Sequence, residues 1–514
     1  MKISNVFEII LLAGVIGLTM TACDNLSGNG DGSSLIGSPV TFTFSGLSNN
    51  DIYLVKVNTS NSIVSAANTG GTRALDLNGE SNDVAPSGSN EEDMPRMGHP
   101  AADAYSSNPP PFDRKKPRAA DGPLASSVSY GVGATKNFWV ESAFGSNAFI
   151  QRTATLVAQG TYGNIWVIDN LITTDQAQKL SEKFDTIYPA ETNLLGYEYG
   201  GGLPPSDPAY GGYDGDPRIQ ILVYNIGSGS GSSATLGYFW GKDMRYDTGS
   251  GQRSNEAEMF YLNSYGFSVF SPDVIYSTLI HEFQHMINFS RKTVKLFITS
   301  ATWYNEMLSM MAEDVISPII GITASNQAHP ITQRIPGFLN CYYAAGITDW
   351  GASADILNSY SIAYAYGAYL LRNYGGPRLL KEILDNNSTN INSITAALKT
   401  VAGGGLDFNK ALQRYGEAII YSGAKKPYGK LTFDTTVINT INSFTYTAYG
   451  FDIWTMARTG GGTGPYILGL DPVALRPYSI SVHQTNEWKN VSGNFTVTLD
   501  GPLDPHVSLY MLVK

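Results

Sequence analysis

The chain has 514 residues, of which 42% are hydrophobic and 15% charged, so it carries the apolar matter of a sizeable core and is not a wholly disordered chain. Its formal net charge of −11, from 33 basic and 44 acidic residues, argues against a nucleic-acid surface, which needs a basic stripe. With only Cys23 and Cys341, a disulfide framework and a cysteine-built metal site are excluded too.

Residues 1–22 read as a signal peptide, because the apolar run from Ile9 to Leu18 is too short for a comfortable membrane span. It ends in Met20-Thr21-Ala22-Cys23, which resembles a bacterial lipoprotein signal. That likeness implies a lipid on Cys23 and an anchored, exported protein on the periplasmic or cell-surface face. The other reading is an ordinary secretory signal; in both the protein leaves the cytosol. Residues 23–37 are rich in Gly, Ser and Asn and suit a flexible tether. Residues 38–69 show strand-like alternation, as in Val40-Thr41-Phe42-Thr43-Phe44, and are expected to form a small β module. Residues 70–127 carry Glu91-Glu92-Asp93, Pro109-Pro110-Pro111 and Arg114-Lys115-Lys116-Pro117-Arg118, the composition of a disordered linker or pro-region.

Order is expected to resume over residues 128–421. Asn164–Asp169 reads as a strand, and Thr173-Thr174-Asp175-Gln176 as a capping box opening a helix that stops near Ile187, before Pro189. Ile219–Tyr224 and Glu256–Leu262 read as further strands, and helical patterns run from Pro272 to about Tyr421. Residues 422–514 return to short strands and suggest a C-terminal β-sandwich. Asp214-Gly215-Asp216 reads as a turn rather than a calcium site.

The chemistry is concentrated in Ser271–Phe289. Ser271 suits a helix N-cap and Pro272 the first helical position. Tyr276, Ile280, Phe283 and Ile287 recur with helical spacing on one face. His281 and His285, four apart, project together from another face and can occupy two corners of a zinc tetrahedron. Glu282 sits where its carboxylate can reach a metal-activated water. A catalytic zinc needs a third protein ligand, and a second helix over Thr302–Asp314 offers Glu306, with Glu313 as the competitor. The glutamate that does not ligate is expected to hydrogen-bond a ligating imidazole.

His281-Glu282-Phe283-Gln284-His285-Met286-Ile287-Asn288 and Trp303–Asp314 together resemble the hyicolysin-like family of bacterial zinc metallopeptidases, whose site is thermolysin-like (gluzincin). The likeness spans roughly Ile165 to Tyr421. It implies Zn2+ on His281, His285 and Glu306, Glu282 as general base, and an oxyanion-binding tyrosine. Within Tyr360–Tyr369 the stretch Tyr364-x-x-Gly367 matches the related aminopeptidases and points to Tyr364; Tyr360 shares its helix face. Met310 stands where the thermolysin pattern has an aspartate, so support for a histidine must come from elsewhere, with Glu313 or Asp314 as candidates. Asn255–Asn263 lies where such folds place the edge strand that pairs with substrate.

The fold expected is α+β: a zincin-like catalytic domain of mixed sheet and helical half, a small N-terminal β module and a C-terminal β-sandwich. The function expected is an extracytoplasmic zinc endopeptidase acting on proteins or peptides. The competing reading is a surface-anchored binding lipoprotein with a structural or vestigial zinc site. A weaker third reading, zinc aminopeptidase, lacks the Gly-x-Met-Glu-Asn-like motif that grips a free amine. Substrate identity and oligomeric state are not encoded in any motif.

Overall fold

Residues 163–168 and 219–224 are nearly unbroken apolar runs, and in the computed structural model both are strands with every residue buried. Such runs suit strands covered on both faces. The structure describes residues 37–65, 98, 100–107, 130–229, 234–352, 356–423, 427, 429–470, 474–501 and 504–514. The expected signal peptide, Cys23 and nearly all of the tether lie outside them, as does most of the stretch 70–127.

In chain order, strands β1 (Gly37–Asn50), β2 (Ile52–Asn58) and β3 (Val64–Ser65) are followed by helix α1 (Pro100–Ser107). Then come β4 (Thr135–Glu141), β5 (Phe149–Gln159), β6 (Gly163–Ile168), α2 (Thr174–Leu195), β7 (Ile219–Tyr224), β8 (Gly237–Phe239) and β9 (Met259–Asn263). The helical half holds α3 (Gly266–Val269), α4 (Pro272–Asn288), α5 (Thr302–Ile316), α6 (Pro330–Cys341), α7 (Ile356–Asn373), α8 (Pro377–Asp385), α9 (Asn390–Ala402) and α10 (Phe408–Tyr421). The chain closes with β10 (Val437–Ile441), β11 (Phe444–Ala448), β12 (Ala474–Leu475), β13 (Ile480–His483), β14 (Val491–Gly501) and β15 (Val507–Val513). The expected α+β class is what the chain adopts. Among the described residues no helix is long and apolar enough to cross a membrane.

Strands β4 to β9 form one mixed sheet in the order β4-β5-β6-β7-β9-β8. β6, β7 and β9 are parallel, with Ile165, Ile221 and Phe260 in line across them. The expected strand Glu256–Leu262 begins only at Met259 and is interior; β8 is the edge. Its polar start is used in a turn: Glu256 has φ +51°, and the Glu258 carboxylate accepts the Tyr213 amide. The Asp214–Asp216 stretch is a turn as well, closed by the Asp216 amide on Asp214 Oδ1 at 2.9 Å.

Helix α2 has both halves of its capping box, Thr173 with Gln176. It does not stop before Pro189 but runs through it to Leu195. An interior proline costs about 3 kcal/mol. Ala190, Leu194 and Leu195 beyond it are fully buried, and each buried leucine returns roughly 1.5–3 kcal/mol. Cys341 is a buried core thiol whose Sγ donates to the Gly337 carbonyl.

The two strand-rich ends of the chain pair with each other. β1 pairs with β14, and β2 lies between β13 and β15, all antiparallel. Phe42, Phe44, Ile52, Leu54, Trp488 and Val497 share one small core. The alternate residues of β2, Tyr53, Val55 and Val57, face the main core instead. The two-residue alternation of a strand lets β2 serve both. The hairpin β10–β11 stands apart from this sandwich and packs on the helical half.

Candidate metal centre

Helix α4 supplies two imidazoles and α5 the carboxylate that faces them. Ser271 takes the extended N-cap conformation and Pro272 the first turn, although the Ser271 side chain makes no capping bond. From Ile280 to Asn288 the helix is buried all round, so its position is fixed by packing rather than by one stripe. The His281 and His285 rings lie 4.7 Å apart, almost perpendicular at 88°. His281 Nε2 is 3.0 Å from Glu306 Oε2, and His285 Nε2 is 3.5 Å from Glu306 Oε1. One ligand atom from each of His281, His285 and Glu306 lies within 4.8 Å of the others, so the three could hold one metal ion.

The opposite nitrogens are held from outside. His281 Nδ1–H donates to Glu313 Oε1 at 2.7 Å, and Ser277 Oγ donates to Glu313 Oε2 at 2.6 Å. His285 Nδ1–H donates to Ser309 Oγ at 3.0 Å, and the Ser309 hydroxyl is passed on to Gln284 Oε1. His281 therefore keeps Nε2 for the centre, as a ligating histidine requires, while on His285 the Ser309 hydroxyl sits nearer Nδ1 than Nε2, at 3.0 against 3.5 Å. The choice between the two glutamates follows from the helix: Glu306 reaches the Nε2 side and Glu313, two turns on, reaches behind His281.

The electrostatics fit a cation between these groups. Burial alone would lower the pKa of His281, yet its bonds to Glu306 and Glu313 outweigh that and push it up to about 10. Burial works upward on Glu306, but the two imidazoles hold it down at about 2. Glu282 is fully buried, and burial pushes its pKa up to about 7 against the pull of the two imidazoles and of the Phe239 main chain on β8. It lies against the edge strand: a Cβ on Gly237 would meet Glu282 Cγ at 3.2 Å and the Tyr261 carbonyl at 2.9 Å. Glycine at that position is what lets α4 approach β8.

The expectation for Tyr364 changes. Its hydroxyl donates to Asp314 Oδ2 at 3.0 Å, beside the fork of Arg372 on the same carboxylate at 2.7 and 3.0 Å. That hydroxyl is committed to a buried ion pair. Tyr360, one turn earlier on the same face, has Glu306 and Glu282 among its charged neighbours. Asp314 is thereby a partner of Arg372 and not of a ligating histidine. The Ser309–Gln284 bridge was not anticipated from the sequence; the Ser at i+3 from Glu306 was its only signal.

These ligand helices and the sheet lie in a stretch that a known family shares: the profile of Peptidase M30 matches residues 121–427. The chain belongs to the Peptidase M30 family. The neutral metalloprotease ShpI of Staphylococcus hyicus is 30% identical over 263 residues, 48% of this chain and 54% of that protein. The chain thus spans about half the length of this curated relative. The hyicolysin-like resemblance read from the two ligand helices is borne out by this membership. His281, Glu282, His285, Glu306, Glu313 and Tyr360 all fall inside the M30 match, whereas α1 and β1–β3 precede it.

Proposed function

We propose that this chain is an exported zinc endopeptidase that hydrolyses protein or peptide substrates. The observation that carries the proposal is the convergence of two Nε2 atoms and one carboxylate, with the buried Glu282 next in sequence to His281. His281, His285 and Glu306 hold the ion, and zinc suits a donor set of two imidazoles and a carboxylate. A zinc ion bound there supplies Lewis-acid chemistry, polarising the scissile carbonyl and making water a better nucleophile.

The rest is done by side chains of this chain. Glu282 takes a proton from the attacking water at its carboxylate and delivers it to the departing amine nitrogen. A pKa near neutrality suits both directions of that transfer. Tyr360 donates a hydrogen bond to the carbonyl oxygen as that oxygen gains negative charge. Glu313 and Ser309 fix the tautomer and angle of the two ligating rings. The outer edge of β8 aligns an extended substrate past Glu282 by main-chain hydrogen bonding.

Export and anchoring rest on residues 1–23, with lipid carried by Cys23 and membrane contact through it. The decisive experiment is Glu282→Gln in the zinc-loaded protein, assayed on a peptide library. The reading requires cleavage at internal bonds by the parent, lost with a chelator and restored by zinc. It also requires that the variant keep zinc and lose hydrolysis. Undiminished hydrolysis by Glu282→Gln would end it.

A further inference from the structure

The proposed centre is closed. His281 and Glu282 are 0% exposed, Glu306 1% and His285 5%, so the centre is shielded from solvent in this conformation. Part of the cover comes from Gly98 and α1, which precede the M30 match and belong to the stretch expected to be a linker or pro-region.

Gly98 sits on the outer side of the edge strand. Its amide donates to the Gly237 carbonyl of β8 at 3.2 Å, and Thr235 Oγ1 donates to the Gly98 carbonyl at 3.3 Å. This is where an extended substrate would add to the sheet, next to Glu282. Gly98 has φ +103°, and a Cβ there would lie 2.9 Å from the Tyr360 hydroxyl and 3.4 Å from Asp103 Oδ2. Only glycine passes that gap without strain. Beyond it, α1 packs against α5 and the turn at Gly241–Asp243. Tyr105 is buried; its hydroxyl accepts from Arg245 Nη1 at 3.2 Å, and its ring lies 6.4 Å from Phe289 at the end of α4. Asp103 has Glu306, Glu282 and His281 as its charged neighbours. One short stretch thus takes a place on the sheet edge and brings Gly98 and Asp103 up to the Tyr360 hydroxyl.

We infer that Gly98 and α1 form an internal inhibitor, lying in the substrate's place on β8 beside Tyr360, so that the full chain is latent until they leave. The inference rests on the peptidase reading for its consequence, but not for its test. The occupant is this chain's own segment and the surface it covers is the cleft between β8, α5 and Tyr360.

The test uses the full zinc-loaded chain with Asp103→Ala, Tyr105→Ala and Gly98→Val, the last acting from outside the helix. Two readouts are taken on each: binding of a peptide hydroxamate by calorimetry, and hydrolysis of a quenched-fluorescence peptide. The expected result is hydroxamate affinity and hydrolysis at least tenfold above the parent in all three, with zinc content unchanged. A synthetic peptide of residues 96–107 should then compete with the hydroxamate on the Asp103→Ala chain. Parent and variants that bind the hydroxamate equally would overturn the inhibitor, whatever their hydrolysis. Hydroxamate affinity that rises without any hydrolysis would uphold the inhibitor and count against the peptidase reading instead.

Discussion

His281 meets Glu306 across 25 positions of sequence, whereas Thr41 meets Thr498 across 457. The two regions are both tightly packed, yet they are specified by different physics. The metal centre is set by two helices whose local periodicity fixes which side chains share a face, and one connection brings them together. The terminal sandwich is set by strand partners that carry no address in their own sequence. β1 and β14 each read as a plain alternating strand, and only their mutual burial of Phe42, Phe44 and Val497 selects the pairing. Chemistry is thus placed on the locally determined elements, and the ends of the chain are drawn together around them.

If that contrast holds, damage to the ligand helices should remove function and fold together, while damage to the sandwich should spare the centre. Phe283→Ala deletes a fully buried ring packed against Phe184 and Tyr188 and should cost about 3–5 kcal/mol, with metal affinity falling in parallel. Val497→Ala in β14 should cost far less and leave metal affinity at the parent value. Denaturant unfolding with metal titration on each variant checks both; equal loss of metal affinity would erase the contrast.

The two tyrosines sharpen it within one helix. Tyr360→Phe should lower kcat by about 10²-fold with little change in thermal stability. Tyr364→Phe should do the reverse, costing on the order of 2 kcal/mol through the Asp314–Arg372 cluster while kcat stays near parent. Steady-state kinetics beside thermal melts separates the pair. Glu313→Gln keeps all three ligands but weakens the grip on His281, and metal affinity should fall about 10–100-fold.

The smallest effect belongs to the sandwich. His483 in β13 accepts from Ser481 at Nε2 and donates from Nδ1 to the Gly469 carbonyl. Burial, aided by Lys56, lowers its pKa from 6.5 to about 4, so the folded chain holds it neutral. Its contribution is therefore complete above pH 6.5 and declines as pH falls toward 4, where the unfolded chain binds the proton and the folded one does not. Between pH 7 and pH 5.5 the loss should be on the order of 1 kcal/mol, and His483→Gln should flatten that slope in unfolding experiments.

Legibility in the sequence follows the same division. The α4 face, the paired histidines and Glu306 could be read because helix spacing is a local rule. The end of α2 could not, because burial of Leu194 and Leu195 outweighs the proline that locally argues for a stop. The edge strand was misplaced because β8 has only three residues, too few for a periodic signal, while the longer run at Met259 is flanked on both sides. A motif match favours Tyr364 over Tyr360, whereas the hydroxyl's actual partner is Asp314, 50 positions from Tyr364 and 58 from Arg372. The role of α1 was hidden in a stretch whose composition suggested no structure.

The central claim is that one ion is held by two imidazoles and one carboxylate from α4 and α5. Metal content by plasma mass spectrometry, on the full chain and on His281→Ala, His285→Ala and Glu306→Ala, tests it most directly. The account predicts one zinc per parent chain and its loss in each folded variant. Zinc retained at parent stoichiometry and affinity by all three would contradict it.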